Sequence, residues 1–147
     1  MTEASQAPTW EQVGDYSQSD GEMAARLAAE YYGEPIDWQR RVLDVLLART
    51  ERDKFRFHTI GFAVPRQNGK SWDLRARAFY GMVTTGERIL YTCQIDDTAD
   101  DMFEKFVAPF DDADANPELA QMLDYVHRGN GQKEIALVNG GYIRFCT

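Results

Sequence analysis

At 147 residues, with 44% hydrophobic and 12% aromatic side chains, the chain is about one domain long and can bury a real core. That composition excludes a disordered polymer, and no apolar run approaches the roughly 20 residues needed to span a bilayer. The net charge of −8 argues against tight nucleic-acid binding by this chain alone. The charge is uneven: residues 38–91 hold 11 Lys/Arg against 5 Asp/Glu, and the remainder holds 5 against 19. A cationic middle suits an anionic ligand, although clustering on solvated faces gives the same pattern.

Residues 1–20 lack periodicity, are rich in Ser, Gln, Asp and Glu, and read as a flexible leader without a secretory signal. Residues 21–54 read as N-terminal helices. Glu22 to Tyr32 is a strong helix former with Met23, Leu27 and Tyr31 on one face and Gly33 as its stop. Asp37 is placed to cap a second helix running to about Arg49, with Trp38, Val42, Val45 and Leu46 as its apolar stripe. Gln39 falls off the centre of that stripe. Its amide offers a donor and an acceptor, so a Trp38-Gln39 pair could pack on and read an adenine; a plain surface glutamine is the alternative.

The charged connection from Thr50 to Lys54 leads into Phe57–Val64, which has the composition of a strand. Next comes the loop Val64-Pro65-Arg66-Gln67-Asn68-Gly69-Lys70-Ser71, and then a helical stretch from Trp72 to Tyr80. Strand, tight loop, Gly-Lys-Ser and helix is the order of a phosphate-binding P-loop. Backbone N–H groups and the dipole at the helix start favour phosphate oxygens. Gly69 permits close backbone approach, Lys70 would reach the β- and γ-phosphates, and the Ser71 hydroxyl would ligate Mg²⁺. The general pattern wants a glycine where Val64 stands.

Beyond the loop, Arg88 to Gln94 reads as a second buried strand, and Asp97 to Phe110 as a helix burying Met102, Phe103, Phe106 and Val107. Asp96, Asp97, Asp100, Asp101 and Glu104 suit the helix dipole better than a metal site. Pro117 opens a short helix to about Tyr125, and 135–145 makes a β-hairpin turning at Asn139-Gly140. Cys93 and Cys146 read as reduced, buried thiols, and His58 and His127 stand alone. Strands alternating with helices predict an α/β domain with a largely parallel sheet, preceded by helices.

With these residues in place, 22–147 resembles the N-terminal part of the ATPase domain of the large terminase subunit of tailed bacteriophages. That family uses a deviant Walker A loop in which Arg-Gln precedes Gly-Lys-Ser/Thr and the first glycine is often missing, as at Val64. Trp38-Gln39 looks like its adenine-recognition segment. Tyr91-Thr92-Cys93-Gln94, followed by Thr98-Ala99, looks like the strand and helix after its P-loop helix. The Asn-Gly hairpin is similar to the one before its Walker B strand.

The resemblance implies a P-loop NTPase core of RecA-like type, incomplete at the C-terminus in this sequence, belonging to an ATP- and Mg²⁺-dependent motor that drives double-stranded DNA into a procapsid, with a C-terminal nuclease. Its implied partners are the portal protein and the small terminase subunit, in a homo-oligomeric ring in the host cytoplasm, with no membrane. Pro65, Arg66, Gln67, Asn68, Gly69, Lys70 and Ser71 would hold the nucleotide with Trp38 and Gln39, Ser71 would hold Mg²⁺, and Arg66 and Lys70 would act on the transferring phosphoryl group.

No run of four apolar residues followed by Asp-Glu occurs in the sequence, so 55–147 reads as a partial ATPase domain without Walker B or nuclease carboxylates. The expectation is nucleotide binding without turnover by this chain alone. The alternatives are a piece of another P-loop translocase of helicase type, a non-catalytic remnant, or an interaction domain on which Lys70 is merely exposed.

Overall fold

The structure, a computed structural model, describes residues 8–65, 67–129 and 132–147. The chain divides into two compact units, the first ending at Arg77 and the second beginning at Ala78.

In the first unit, β1 (Gln18–Ser19) pairs antiparallel with β2 (Ala48–Arg49), and α1 (Gly21–Tyr32) and α2 (Asp37–Leu46) lie between them in sequence. The helix at 22–32 forms, but its predicted face does not. Met23 is exposed, while Ala24, Ala25 and Ala28 are wholly buried. The reason is close helix approach: a Cβ at Gly21 would lie 2.4 Å from the Asp44 Cα of α2. Small side chains are what such a contact accepts.

The buried line of α2 is Gln39 and Leu43, continued by Leu47 at its C-cap, with Trp38, Val42, Val45 and Leu46 half-covered. Gln39 therefore occupies the centre of the stripe. The cap is Ile36 rather than Asp37, and the helix ends at Leu46. Residues 11–16 are tied down by side chains: Tyr16 hydrogen-bonds Asp44, Glu11 pairs with Arg41, and the Tyr16 ring meets Phe57 edge-on at 6.0 Å.

Phe57–Val64 is not a strand. No described strand pairs with it, and all its residues are exposed or half-buried. Alternating apolar residues supply a face, but a strand also needs a neighbour's N–H and C=O groups. The first unit closes with the start of α3 (Lys70–Thr85).

The second unit holds the rest of α3, then β3 (Arg88–Thr92), α4 (Asp96–Asp111), α5 (Pro117–Met122), β4 (Leu123–Gly129), β5 (Gln132–Leu137) and β6 (Tyr142–Cys146). Its sheet runs β3-β6-β5-β4. Only β3 and β6 are parallel, with Arg88 opposite Tyr142 and Thr92 opposite Cys146; the other two pairings are antiparallel. The expected RecA-like, largely parallel sheet is therefore corrected to a four-stranded mixed sheet in the second unit and a two-stranded antiparallel one in the first. Two hairpins supply most of the pairing, and hairpins are antiparallel by construction.

The Asn139-Gly140 hairpin forms where expected. Helix 117–125 does not: it stops at Met122, and Leu123 begins the unforeseen edge strand β4. The predicted inner face of α4 is buried as read, and Phe106 centres the core, 5.8 Å from Phe145 and 6.1 Å from Phe79. β3 is only half-covered, with Leu90 exposed, rather than buried. The acidic run of α4 is used in ion pairs: Asp100 with Lys133 at 2.8 Å, Glu104 with Arg128 at 3.1 Å and Asp101 with Lys105 at 2.7 Å. Cys93 and Cys146 are free and half-buried. The Cys93 N–H donates to the Cys146 carbonyl at 3.0 Å, one step off the Thr92–Cys146 register. No described helix is long and apolar enough to cross a membrane.

Candidate functional site

The loop that joins the extended 57–64 segment to α3 turns twice through the left-handed region. Gln67 has φ +64° and Gly69 has φ +85°. At Gly69 that geometry and a neighbour both require glycine, because a Cβ would lie 2.9 Å from Gln39 Nε2. The Gly69 carbonyl accepts from the Trp72 N–H at 2.9 Å, which closes the first turn, and from Gln39 Nε2 at 3.1 Å. Lys70 is thus the first residue of a helix of 16 residues.

Pro65, Gln67, Asn68, Gly69, Lys70 and Ser71 are all exposed, and Arg66 lies outside the described residues. Neither the Lys70 ammonium nor the Ser71 hydroxyl has a hydrogen-bond or ion-pair partner among the described residues. An uncompensated cation at a helix N-terminus opposes the helix dipole, costing a few tenths of a kcal/mol. An anion held there would reverse that sign. Elsewhere in the cationic middle, Arg40 faces Glu22 and Glu34, both at 3.3 Å, and Arg49 holds Asp20 at 2.9 Å.

Two residues brace this helix start. Trp72 is buried, and its indole N–H donates to the carbonyls of Tyr32 and Gly33 at the end of α1, each at 3.1 Å. Gln39, also buried, accepts from the Ile36 N–H through Oε1 at 2.9 Å and donates to Gly69 through Nε2. Of the two predicted adenine contacts, the structure thus brings Gln39 to the loop, while Trp38 stands half-buried beside it on α2.

Sequence reasoning passed over Asp73. It sits in the first turn of α3, fully buried, and neither carboxylate oxygen has a partner among the described residues. Burial pushes its carboxyl up to about 7, against the lowering influence of its own backbone amide. The available signal was its position beside Trp72 and three residues before Ala76, both buried on the same helix.

The donor set suits phosphate oxygens: an exposed ammonium, an exposed hydroxyl and a helix N-terminus on one turn. For Mg²⁺ the described loop residues supply the Ser71 hydroxyl and the amide oxygens of Gln67 and Asn68, and no carboxylate. Among the described residues no three His, Cys, Asp or Glu side chains gather to hold a metal ion. An ion there would complete its shell with phosphate and water oxygens. Comparisons with protein-family models, curated proteins and solved structures give no match.

Proposed function

We propose that the Gln67–Ser71 turn binds the phosphates of ATP with Mg²⁺, and that the chain is the nucleotide-binding N-terminal portion of a phage terminase large subunit. The observation that carries the first part is an exposed Lys70 and Ser71 at the start of α3, without partners among the described residues, on a turn that Gly69 shapes. Lys70 would neutralise phosphate charge, Ser71 would meet Mg²⁺, and the first amides of α3 would receive phosphate oxygens. Arg66 and Lys70 would face the transferring phosphoryl group, and Pro65, Asn68 and Trp38 would line the nucleotide.

The terminase part rests on the order of residues: Arg66-Gln67 directly before Asn68-Gly69-Lys70-Ser71, with Trp38-Gln39 upstream and an Asn-Gly hairpin downstream. Under this reading the whole motor meets double-stranded DNA, a portal protein and a small terminase subunit as a ring on the procapsid in the host cytoplasm. Hydrolysis belongs to that whole motor, because Walker B supplies the Mg²⁺ aspartate and the adjacent carboxylate.

The test is displacement. A fluorescent ATP analogue titrated with the chain in Mg²⁺ should bind saturably and be competed off by both ATP and inorganic tripolyphosphate. Binding that AMP competes away as well as ATP does would place the contact on the base or sugar and sink the phosphate-loop reading.

A further inference from the structure

Resting on the nucleotide-binding reading, we infer that Gln39 is a positioning residue that clamps the phosphate loop by its Gly69 carbonyl, and does not read the base. The geometry fixes which way its amide points. Oε1 accepts from the Ile36 N–H at 2.9 Å, and Nε2 donates to Gly69 O at 3.1 Å. Flipping the amide would set two donors against each other at Ile36 and two acceptors at Gly69, so one orientation alone satisfies both ends.

The clamp also has little freedom to leave. Gln39 is 6% exposed, on the buried line of α2 with the wholly buried Leu43 and Leu47. Turning its amide outward to an adenine would break its bond to the Gly69 carbonyl and withdraw the acceptor that holds the Ile36 N–H at the start of α2. The loop side is matched to it, since a Cβ on Gly69 would come within 2.9 Å of the same Nε2. Gln39 therefore sets the carbonyl that closes the first turn of α3, and through it the direction of the Lys70 and Ser71 amides. A clamp of this kind contributes equally to every ligand that uses the turn, whatever base it carries. Base discrimination then has to come from another residue.

The probes that separate clamp from reader are ATP, GTP and inorganic tripolyphosphate, titrated separately against the whole chain. Gln39→Glu keeps an acceptor for Ile36 but cannot donate to Gly69. It should weaken all three probes by a common factor of about tenfold, the size of one lost buried hydrogen bond. Its ¹⁵N spectrum should shift at Gly69–Trp72 and leave the Ile36 amide in place, which general loosening of the fold would not do. Loss for ATP with tripolyphosphate unchanged would make Gln39 a base reader and overturn the inference. Unchanged affinity for all three would overturn it as well.

If Gln39→Glu fails to fold, the same contact is tested from both sides with Gln39→Met, Gly69→Ala and their combination. The clamp predicts non-additive losses, because Met removes the donor that the new Cβ would strike. Strictly additive losses contradict it. Should the parent chain bind none of the three probes, the nucleotide reading itself fails. That result is distinct from any pattern among the variants.

Discussion

The Trp72 indole N–H lies 3.1 Å from the Tyr32 carbonyl oxygen, so the first turn of α3 caps the last turn of α1. Helix C-termini leave carbonyls without intrahelical partners, and here a side chain from the candidate binding helix supplies the donor. Trp72→Phe keeps an aromatic ring but removes the N–H. The expected loss is about 1–3 kcal/mol, since the Tyr32 and Gly33 carbonyls lose a buried donor. Urea unfolding followed by circular dichroism measures it; a midpoint equal to the parent's would show that these carbonyls find other partners.

Asp73 predicts a pH dependence of known sign. Its carboxyl is raised from the ordinary 3.8 to about 7 in the folded chain. Below pH 3.8 both folded and unfolded states hold the proton, and the group adds no pH dependence. As pH climbs from there to about 7, the unfolded state releases its proton and the folded state does not, so stability falls. Above pH 7 the loss is complete, roughly 4 kcal/mol at 1.36 kcal/mol per pH unit. Asp73→Asn should match the parent near pH 4 and exceed it by several kcal/mol at pH 8. Parallel stability curves for the two proteins would refute the buried, unpartnered carboxyl.

Asn139 does more than turn the hairpin. Its Nδ2 donates to the carbonyls of Met82 at 2.9 Å and Val83 at 3.0 Å, near the end of α3, while Oδ1 accepts from the Gly141 N–H at 2.9 Å. Asn139→Asp replaces the donor by a charged acceptor facing two carbonyls at the negative end of a helix. We expect it to cost about 1–3 kcal/mol. Because the charge is the cause, thermal unfolding at pH 3 should bring the variant closer to the parent than at pH 7. Equal deficits at both pH values would assign the effect to something else.

What the sequence disclosed, and what it concealed, divides along local and non-local lines. The α4 face and the Asn139-Gly140 hairpin were readable because periodicity and turn chemistry are local. Phe57–Val64 misled because its alternation says which face is apolar and nothing about who bonds to it. β4 stayed hidden because Asp124, His127 and Arg128 give an edge strand the polarity of a loop. Met23, Leu27 and Tyr31, one apolar line by spacing, suggested the buried face of α1, yet close approach to α2 favoured Ala24, Ala25 and Ala28.

At the candidate site, Gly69-Lys70-Ser71 was plain in the sequence. The commitment of the Gln39 amide was not, because it depends on a contact 30 residues away. Asp73 was concealed for a related reason: a first-turn aspartate is ordinary by composition, and only its burial makes it unusual.

The most direct test of the central claim is calorimetric titration of ATP with Mg²⁺ into the parent chain and into Lys70→Ala. Lys70 is exposed and unpartnered among the described residues, so its removal should leave thermal stability within about 0.5 kcal/mol. The account predicts saturable binding by the parent and at least about a tenfold weaker affinity in the variant, the loss of one charge-assisted phosphate contact. Equal affinity in the two proteins, with both folded, would contradict it.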